Sequence, residues 1–170
     1  MRTFLFLLIS SAVLLADSVA GLKWTPPAGW KSSGTTSMRA ATYPIAPVSG
    51  VKPGAECVVY FFGAGQGGSV QANIDRWESQ FKGPGGKPAA AKVSKINVHG
   101  LPVTTIDVSG EYSGMGGPTS AGPAVGDYRL LGAIVEGPQG NIFIKFTGPS
   151  KTMAANESKF RQFLGSFEKQ

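Results

Sequence analysis

Apolar side chains recur at helical spacing in two segments of the chain. Between residues 70 and 81 they are spaced four, three and four positions apart, while charged and amide side chains fill the positions between them. A similar stripe follows residues 148–150 near the carboxyl end. The pattern predicts two amphipathic helices, and the Ser69 hydroxyl is placed to cap the first. The stripes are Val70, Ile74, Trp77 and Phe81, then Met153, Phe160, Phe163, Leu164 and Phe167.

Segments rich in branched and aromatic residues surround these helices and predict strands. The segment 56–62 is apolar at both alternating sets of positions, which is typical of a central strand. Two hairpins are predicted, one turning at His99-Gly100 and one at residues 137–140. The predicted strands are 38–43, 56–62, 92–98, 103–109, 127–136 and 141–147. This order predicts an α+β fold in which a mainly antiparallel sheet of about six strands has one main helix against each face, an α/β/α sandwich.

The first twenty residues have the pattern of a secretory signal peptide. Arg2 precedes an apolar run over residues 4–15, and small side chains follow at Ser18 and Ala20. We therefore expect cleavage after Ala20, leaving residues 21–170 as one globular domain in a periplasm or outside the cell. No later apolar run is long enough to predict a transmembrane helix.

The charge of the chain favours contact with anionic surfaces. Its formal net charge is +6, and no acidic residue lies between Glu78 and Asp107. That interval holds Lys82, Lys87, Lys92 and Lys95, which we predict to bind an anionic envelope component, although a solvated, lysine-bearing loop would have the same sequence. Basic residues never occur in adjacent pairs, which argues against nucleic acid as a partner.

A glycine-rich turn precedes the first predicted helix. Its glycines satisfy the GxGxxG spacing at residues 63, 65 and 68. No acidic residue follows about twenty positions on and no second βαβ unit is evident, so we predict no nucleotide and no other cofactor. The amides at Gly67, Gly68 and Ser69 could instead hold another anion, or the glycines could serve the turn alone.

Residues suited to catalysis are few. Cys57 lies in an apolar run and is predicted to be buried and inert, and His99 lies at a predicted turn. With one cysteine and one histidine, the chain predicts no metal site and no Cys-His pair. Glu111 and Asp127 flank the glycine-rich segment 110–126, so a carboxylate-dependent hydrolase of envelope polymers is the alternative function.

Three segments carry a resemblance to a known fold family. The opening LKWTPPAGW, the segment FIKFTGPSKT and the closing FLGSF, together with the order of the elements, resemble the PsbP-like α/β/α sandwich. The segment FFGAGQGGSVQANIDRW is similar to uncharacterised bacterial secreted proteins. The resemblance implies an accessory or binding protein. We therefore expect a monomeric, non-catalytic factor of the cell envelope that contacts an anionic envelope component or another exported protein, through segment 110–126 and the lysine-bearing segment 82–95.

Overall fold

The structure is a computed structural model that describes residues 17–114 and 125–170. It confirms an α+β fold with a mainly antiparallel sheet. The elements are β1 Asp17–Val19, β2 Leu22–Trp24, β3 Arg39–Ile45, β4 Ala55–Tyr60, α1 Val70–Glu78, β5 Phe81–Lys82, β6 Ala91–Val98, β7 Leu101–Tyr112, β8 Val125–Gly137, β9 Gly140–Pro149, α2 Ser150–Gly165 and β10 Glu168–Lys169.

In the part of the chain that is described, seven strands form the main sheet, compared with the six or so expected. They follow the order β3-β4-β9-β8-β7, and the outer edge of β7 pairs with β6 along most of its length and with β5 at its end. Both predicted hairpins are confirmed, because β6 pairs with β7 across His99-Gly100 and β8 pairs with β9 across residues 138–139. His99 has φ +48° and Gly100 φ +79°, as a tight hairpin turn requires.

The seventh strand, β5, is present because the first helix ends earlier than the sequence predicts. We predicted that Phe81 continues the helical stripe, but α1 ends at Glu78 and Phe81 begins β5. Phe81 is still buried, and it packs in the same cluster as Ile74 and Trp77. A turn of two residues thus keeps the side chain on the expected side of the sheet while its backbone pairs with Tyr112.

A second, three-stranded sheet was not predicted. It has the order β1-β2-β10 and joins the two ends of the described chain. Strand β1 lies within the segment that the sequence predicts to be removed, and it turns into β2 at Ala20 and Gly21, which have φ +55° and +73°. Tyr43 donates a hydrogen bond to the Asp17 carboxylate and accepts one from Trp24 Nε1 at 2.8 Å. Cleavage after Ala20 would remove β1 together with this acceptor.

One face of the main sheet is covered by α2. The predicted apolar stripe of that helix is buried, and Phe163 packs against Trp30 and Tyr43 with ring centroids 5.6 Å apart in both pairs. Trp24 stacks on Phe167 at 5.1 Å, and Trp24 and Trp30 are both buried, so the two tryptophans anchor the amino-terminal segment to the core. Arg129 of β8 also ties α2 to the sheet, since it binds Asp107 at 2.7 Å and Glu157 at 2.8 Å.

The other face is covered by α1, which has nine residues against the sixteen of α2. Trp77 lies directly over Gly132 of β8, where an added Cβ would come within 2.7 Å of the indole ring. The absence of a side chain at Gly132 therefore lets this short helix approach the sheet. Beyond the end of α1, the same face carries polar and aromatic side chains.

Candidate functional site

The glycine-rich turn at Gly67, Gly68 and Ser69 forms the start of α1. Ser69 caps the helix as predicted, its Oγ accepting from the Ala72 amide at 3.1 Å. Asn73 closes the turn, with Nδ2 donating to the carbonyls of Gly67 and Ser69 at 2.8 and 2.9 Å.

Both glycines in this turn have positive φ, +88° at Gly67 and +81° at Gly68. A Cβ at Gly67 would come within 2.6 Å of Phe143, so the backbone fits against this ring only without a side chain. The turn and the cap thus explain all three residues structurally, and anion binding there remains a prediction.

The four predicted lysines do not share one surface. Lys92 and Lys95 are an odd number of positions apart on β6, so they extend to opposite faces of the sheet. Lys87 and Lys92 line one open depression together with Asp107, whereas Lys82 lines another beside two carboxylates of α1. Binding by these exposed lysines remains a prediction, and any contribution would come from separate places rather than from one cluster.

Asp127, one of the two carboxylates of the alternative hydrolase hypothesis, lies at a bulge. The pairing of β7 with β8 shifts here, since Gly110 pairs with Tyr128 but Tyr112 pairs with Val125. Asp127 has φ +58°, a conformation that aspartate tolerates better than most residues. Glu111 pairs with Lys82, and both carboxylates are exposed. The rest of the predicted contact segment, residues 115–124, lies outside the described residues.

The two candidate nucleophile or base residues have clear structural surroundings. Cys57 is fully buried, as predicted, and burial raises the pKa of its thiol well above the ordinary value, which keeps it neutral and unreactive. His99 Nδ1 donates to the Phe167 carbonyl at 2.9 Å and so fastens the hairpin turn to the end of the chain. Within residues 17–114 and 125–170, no three His, Cys, Asp or Glu side chains group as metal ligands would.

The most unusual polar group in the described structure is Lys145, which the sequence analysis did not single out. It lies in the middle of β9, faces the α1 side of the sheet and is only 5% exposed. Its ammonium donates to Gln80 Oε1 at 2.7 Å and to the Tyr112 hydroxyl at 3.1 Å, and it lies 5.3 Å from the centroid of the Tyr112 ring. Both partners are neutral, and no carboxylate of the described residues forms an ion pair with Lys145.

Burial has a measurable consequence for this amine. Loss of hydration and, to a smaller extent, the positive charge of Arg76 together lower the pKa of Lys145 to about 8. The pKa of the Tyr112 hydroxyl is shifted in the opposite direction, since burial raises it to about 12. At neutral pH the pair is therefore an ammonium beside a protonated phenol.

Tyr112, which accepts a hydrogen bond from Lys145, lines an open depression of about 700 Å³ together with Tyr128 and Thr147. Lys145 lies behind this lining. Tyr112 and Tyr128 stack at its edge with ring centroids 5.6 Å apart. Thr147, two positions after Lys145 on the same face of β9, has a buried Oγ1 with no hydrogen-bond partner. We call this group the tyrosine–lysine recess: Gln80, Tyr112, Tyr128, Lys145 and Thr147.

The charged groups around the recess are engaged elsewhere. Arg39 binds Glu56 at 3.2 Å and lies over the ring of Tyr60. Arg76 is hydrogen-bonded to the side-chain oxygen of Asn73. The recess therefore offers donors and positive charge. Glu56 lines the same depression, and its carboxylate is paired with Arg39.

Comparison with known proteins identifies the architecture. No family model matches the chain, and no curated protein matches it. Among solved structures, cyanobacterial PsbP (CyanoP) from Synechocystis sp. PCC 6803 superposes with a TM-score of 0.52 at 11% identity, covering 92% of this chain and 91% of that one. The chain has a PsbP-like fold.

A Pseudomonas aeruginosa protein of unknown function, PA94, shares this PsbP-like architecture. Its TM-score is 0.51 at 16% identity, with 92% of this chain and 96% of that chain covered. The likeness confirms the α/β/α arrangement that the sequence predicted. Within the described residues, no helix has the length and apolar character needed to cross a membrane.

A sequence signal for the recess exists within this PsbP-like fold. In β9 one set of alternating positions is wholly apolar, whereas the other set contains Lys145 and Thr147 after Phe143. A lysine at an inward position of a strand covered on both faces is rare, because burial of an ammonium is costly. That single irregularity in an apolar strand marks the site.

Proposed function

We propose that this chain is an exported, non-catalytic binding or accessory protein of the cell envelope, and that the tyrosine–lysine recess is its binding site. The leader-like first twenty residues support export. The PsbP-like fold supports a scaffold that carries a binding surface, although a fold alone assigns no activity.

The observation that carries the proposal is the buried ammonium of Lys145. An unpaired buried charge lowers the stability of a fold, so its presence indicates a role other than folding. Tyr112 and Thr147 line an open depression, and the Tyr112 hydroxyl is bonded to the ammonium, so the charge lies one hydrogen bond behind a surface that a ligand can reach.

Two measurements test the proposal. Cell fractionation with intact-mass analysis is expected to find a shortened chain in the envelope or medium, and a full-length cytosolic species would contradict export. Calorimetric titration of the purified chain with envelope fragments is expected to show saturable binding that Lys145→Met abolishes. Lys159→Met is the matched control, because it removes the same charge from an exposed position of α2, on the other face of the sheet. Equal loss in both variants would assign binding to net charge rather than to the recess.

The same titration tests the hydrolase hypothesis. A binding protein retains the fragments unchanged, whereas a hydrolase releases products and loses that activity in Glu111→Gln or Asp127→Asn. The structure already gives Asp127 a role in the bulge. Product release that depends on either carboxylate would overturn the proposed function.

A further inference from the structure

The tyrosine–lysine recess has an excess of hydrogen-bond donors. A lysine ammonium has three N–H groups, and Lys145 uses two of them, on Gln80 and Tyr112. The Tyr112 hydroxyl accepts from Lys145, and its own hydrogen has no acceptor among the described residues. Thr147 Oγ1 is buried without any partner. Three donors on neighbouring positions therefore lack acceptors, although buried polar groups in folded proteins are almost always paired.

The missing acceptor should be negatively charged. Lys145 has no carboxylate partner in the described part of the chain, and the charge that contributes to its lowered pKa, that of Arg76, is also positive. Charge-assisted hydrogen bonds to an anion would offset the cost of burying this ammonium.

The number of donors limits the size of the anion. One charged N–H and two hydroxyls match the two oxygens of a carboxylate. A phosphate monoester carries more charge and a third oxygen, and it needs further cationic donors. Arg39 and Arg76 do not supply them, because neither lines the depression and the hydrogen bonds of both go to residues outside the recess, Glu56 and Asn73.

The aromatic side chains beside the recess indicate what kind of molecule carries the carboxylate. The stacked rings of Tyr112 and Tyr128 line the depression, and both side chains are partly exposed. Rings of this kind pack against planar or cyclic groups. We infer that the recess binds the carboxylate of a small ring-bearing acid, with Lys145, Tyr112 and Thr147 holding the carboxylate and the two tyrosines packing against the ring. This inference rests on the proposed function and specifies the ligand of the same site.

Benzoate and glucuronate are suitable probes, since one carries an aromatic ring and the other a sugar ring. Titration of the purified chain at neutral pH, followed by amide NMR shifts, is expected to show saturation by at least one acid below about 10 mM. The neutral amides benzamide and glucuronamide should bind about tenfold more weakly or worse, because hydrogen bonds to a charged group are the stronger ones. Which acid binds tells whether the natural ring is aromatic or a sugar.

Three variants tie binding to the recess. Lys145→Met is expected to weaken acid binding about tenfold or more, and Thr147→Val, which keeps the side-chain shape, about threefold to tenfold. Lys159→Met, at an exposed position of α2, should leave the affinity unchanged. Circular dichroism of each variant checks that the fold is retained, and Thr147→Val keeps the test valid if Lys145→Met does not fold.

The outcomes separate this inference from the proposed function. If neither acid saturates the chain, or if the amides bind as tightly as the acids, the inference is wrong. If phosphate binds in a Lys145-dependent manner and the acids do not, the ligand class is wrong while the recess remains the binding site. If envelope fragments also bind independently of Lys145, the proposed site fails as well.

Discussion

The two faces of the main sheet are buried to different degrees and by different chemistry. On the α2 face, a sixteen-residue helix covers a cluster of aromatic rings, and Phe146 and Phe163 are fully buried there. On the α1 face, a nine-residue helix covers part of the sheet, and Lys145 and Thr147 lie beyond it. The difference indicates that packing on the α2 face stabilises the fold, whereas the polar recess on the α1 face lowers the free energy of unfolding.

The largest expected effect tests the first half of that comparison. Phe163→Ala removes a fully buried ring that touches Trp30, Tyr43 and Phe167, so it should lower the free energy of unfolding by about 3–5 kcal/mol. Tyr128→Ala on the α1 face removes a half-buried ring and should cost about 1–2 kcal/mol. Urea unfolding measures both. Equal costs would show that the two faces contribute alike.

Lys145→Met tests the second half, and it should stabilise the unliganded chain by about 1–3 kcal/mol at pH 7. Burial lowers the pKa of Lys145 to about 8 in the folded chain, against about 10.5 when unfolded. Between these values the unfolded chain binds a proton that the folded chain does not, so the stability contributed by Lys145 rises with pH. The advantage of the methionine variant should therefore be full below pH 8 and shrink towards pH 10.5.

Urea unfolding of both proteins at pH 7 and at pH 10 measures this difference. Burial raises the pKa of the neighbouring Tyr112 to about 12, so this residue adds its own pH dependence near pH 10. That contribution is common to both proteins and cancels in the difference between them. A destabilised methionine variant at pH 7 would mean that the ammonium contributes to folding, and the contrast between the faces would then disappear.

A smaller effect is expected at the small sheet beside the α2 face. A chain that begins at Gly21 lacks β1, which leaves the buried Tyr43 hydroxyl without the Asp17 carboxylate, so it should be about 1–2 kcal/mol less stable than a chain that begins at Asp17. Asp17→Asn in the longer chain separates the loss of the carboxylate from the loss of the strand. If the two chains unfold at the same urea concentration, β1 contributes nothing to the α2 face.

The smallest change in stability is expected at the four exposed lysines. Replacing Lys82, Lys87, Lys92 and Lys95 by glutamine should leave the free energy of unfolding within about 0.5 kcal/mol. The same variant should elute from an anionic polymer at lower salt, in roughly equal steps as each lysine is replaced, because the structure separates these side chains. One dominant lysine would instead indicate a localised anion site outside the recess.

Much of the fold follows from local patterns in the sequence. The stripe at Ile74 and Trp77 places α1, and the turn at His99-Gly100 places the first hairpin, because both depend on residues close together in the chain. The small sheet was missed, since β2 and β10 are three and two residues long and pair across almost the whole chain. Strands that short have too few positions to show alternation.

The recess was missed for a related reason. Its members come from α1, β7, β8 and β9 or the turns next to them, so no segment of sequence contains the site. Local motifs directed attention to the turn at Gly67 and Gly68, whose glycines the structure explains by backbone conformation and by packing against Phe143. The one local signal of the site in the sequence is Lys145, a charged residue between the apolar residues Ile144 and Phe146 of β9.

The pairing of β2 with β10 places Leu22 beside Lys169. The Gln170 amide donates to the Gly21 carbonyl at 3.0 Å, so a linker of a few residues from Gln170 to Gly21 would close residues 21–170 into a ring. Such a ring could be reopened at the exposed His99-Gly100 turn, giving a circular permutant with a reordered sequence and the same contacts. It also means that anything fused to the carboxyl end emerges beside the amino-terminal strands, on the side of the sheet opposite to α1 and the recess.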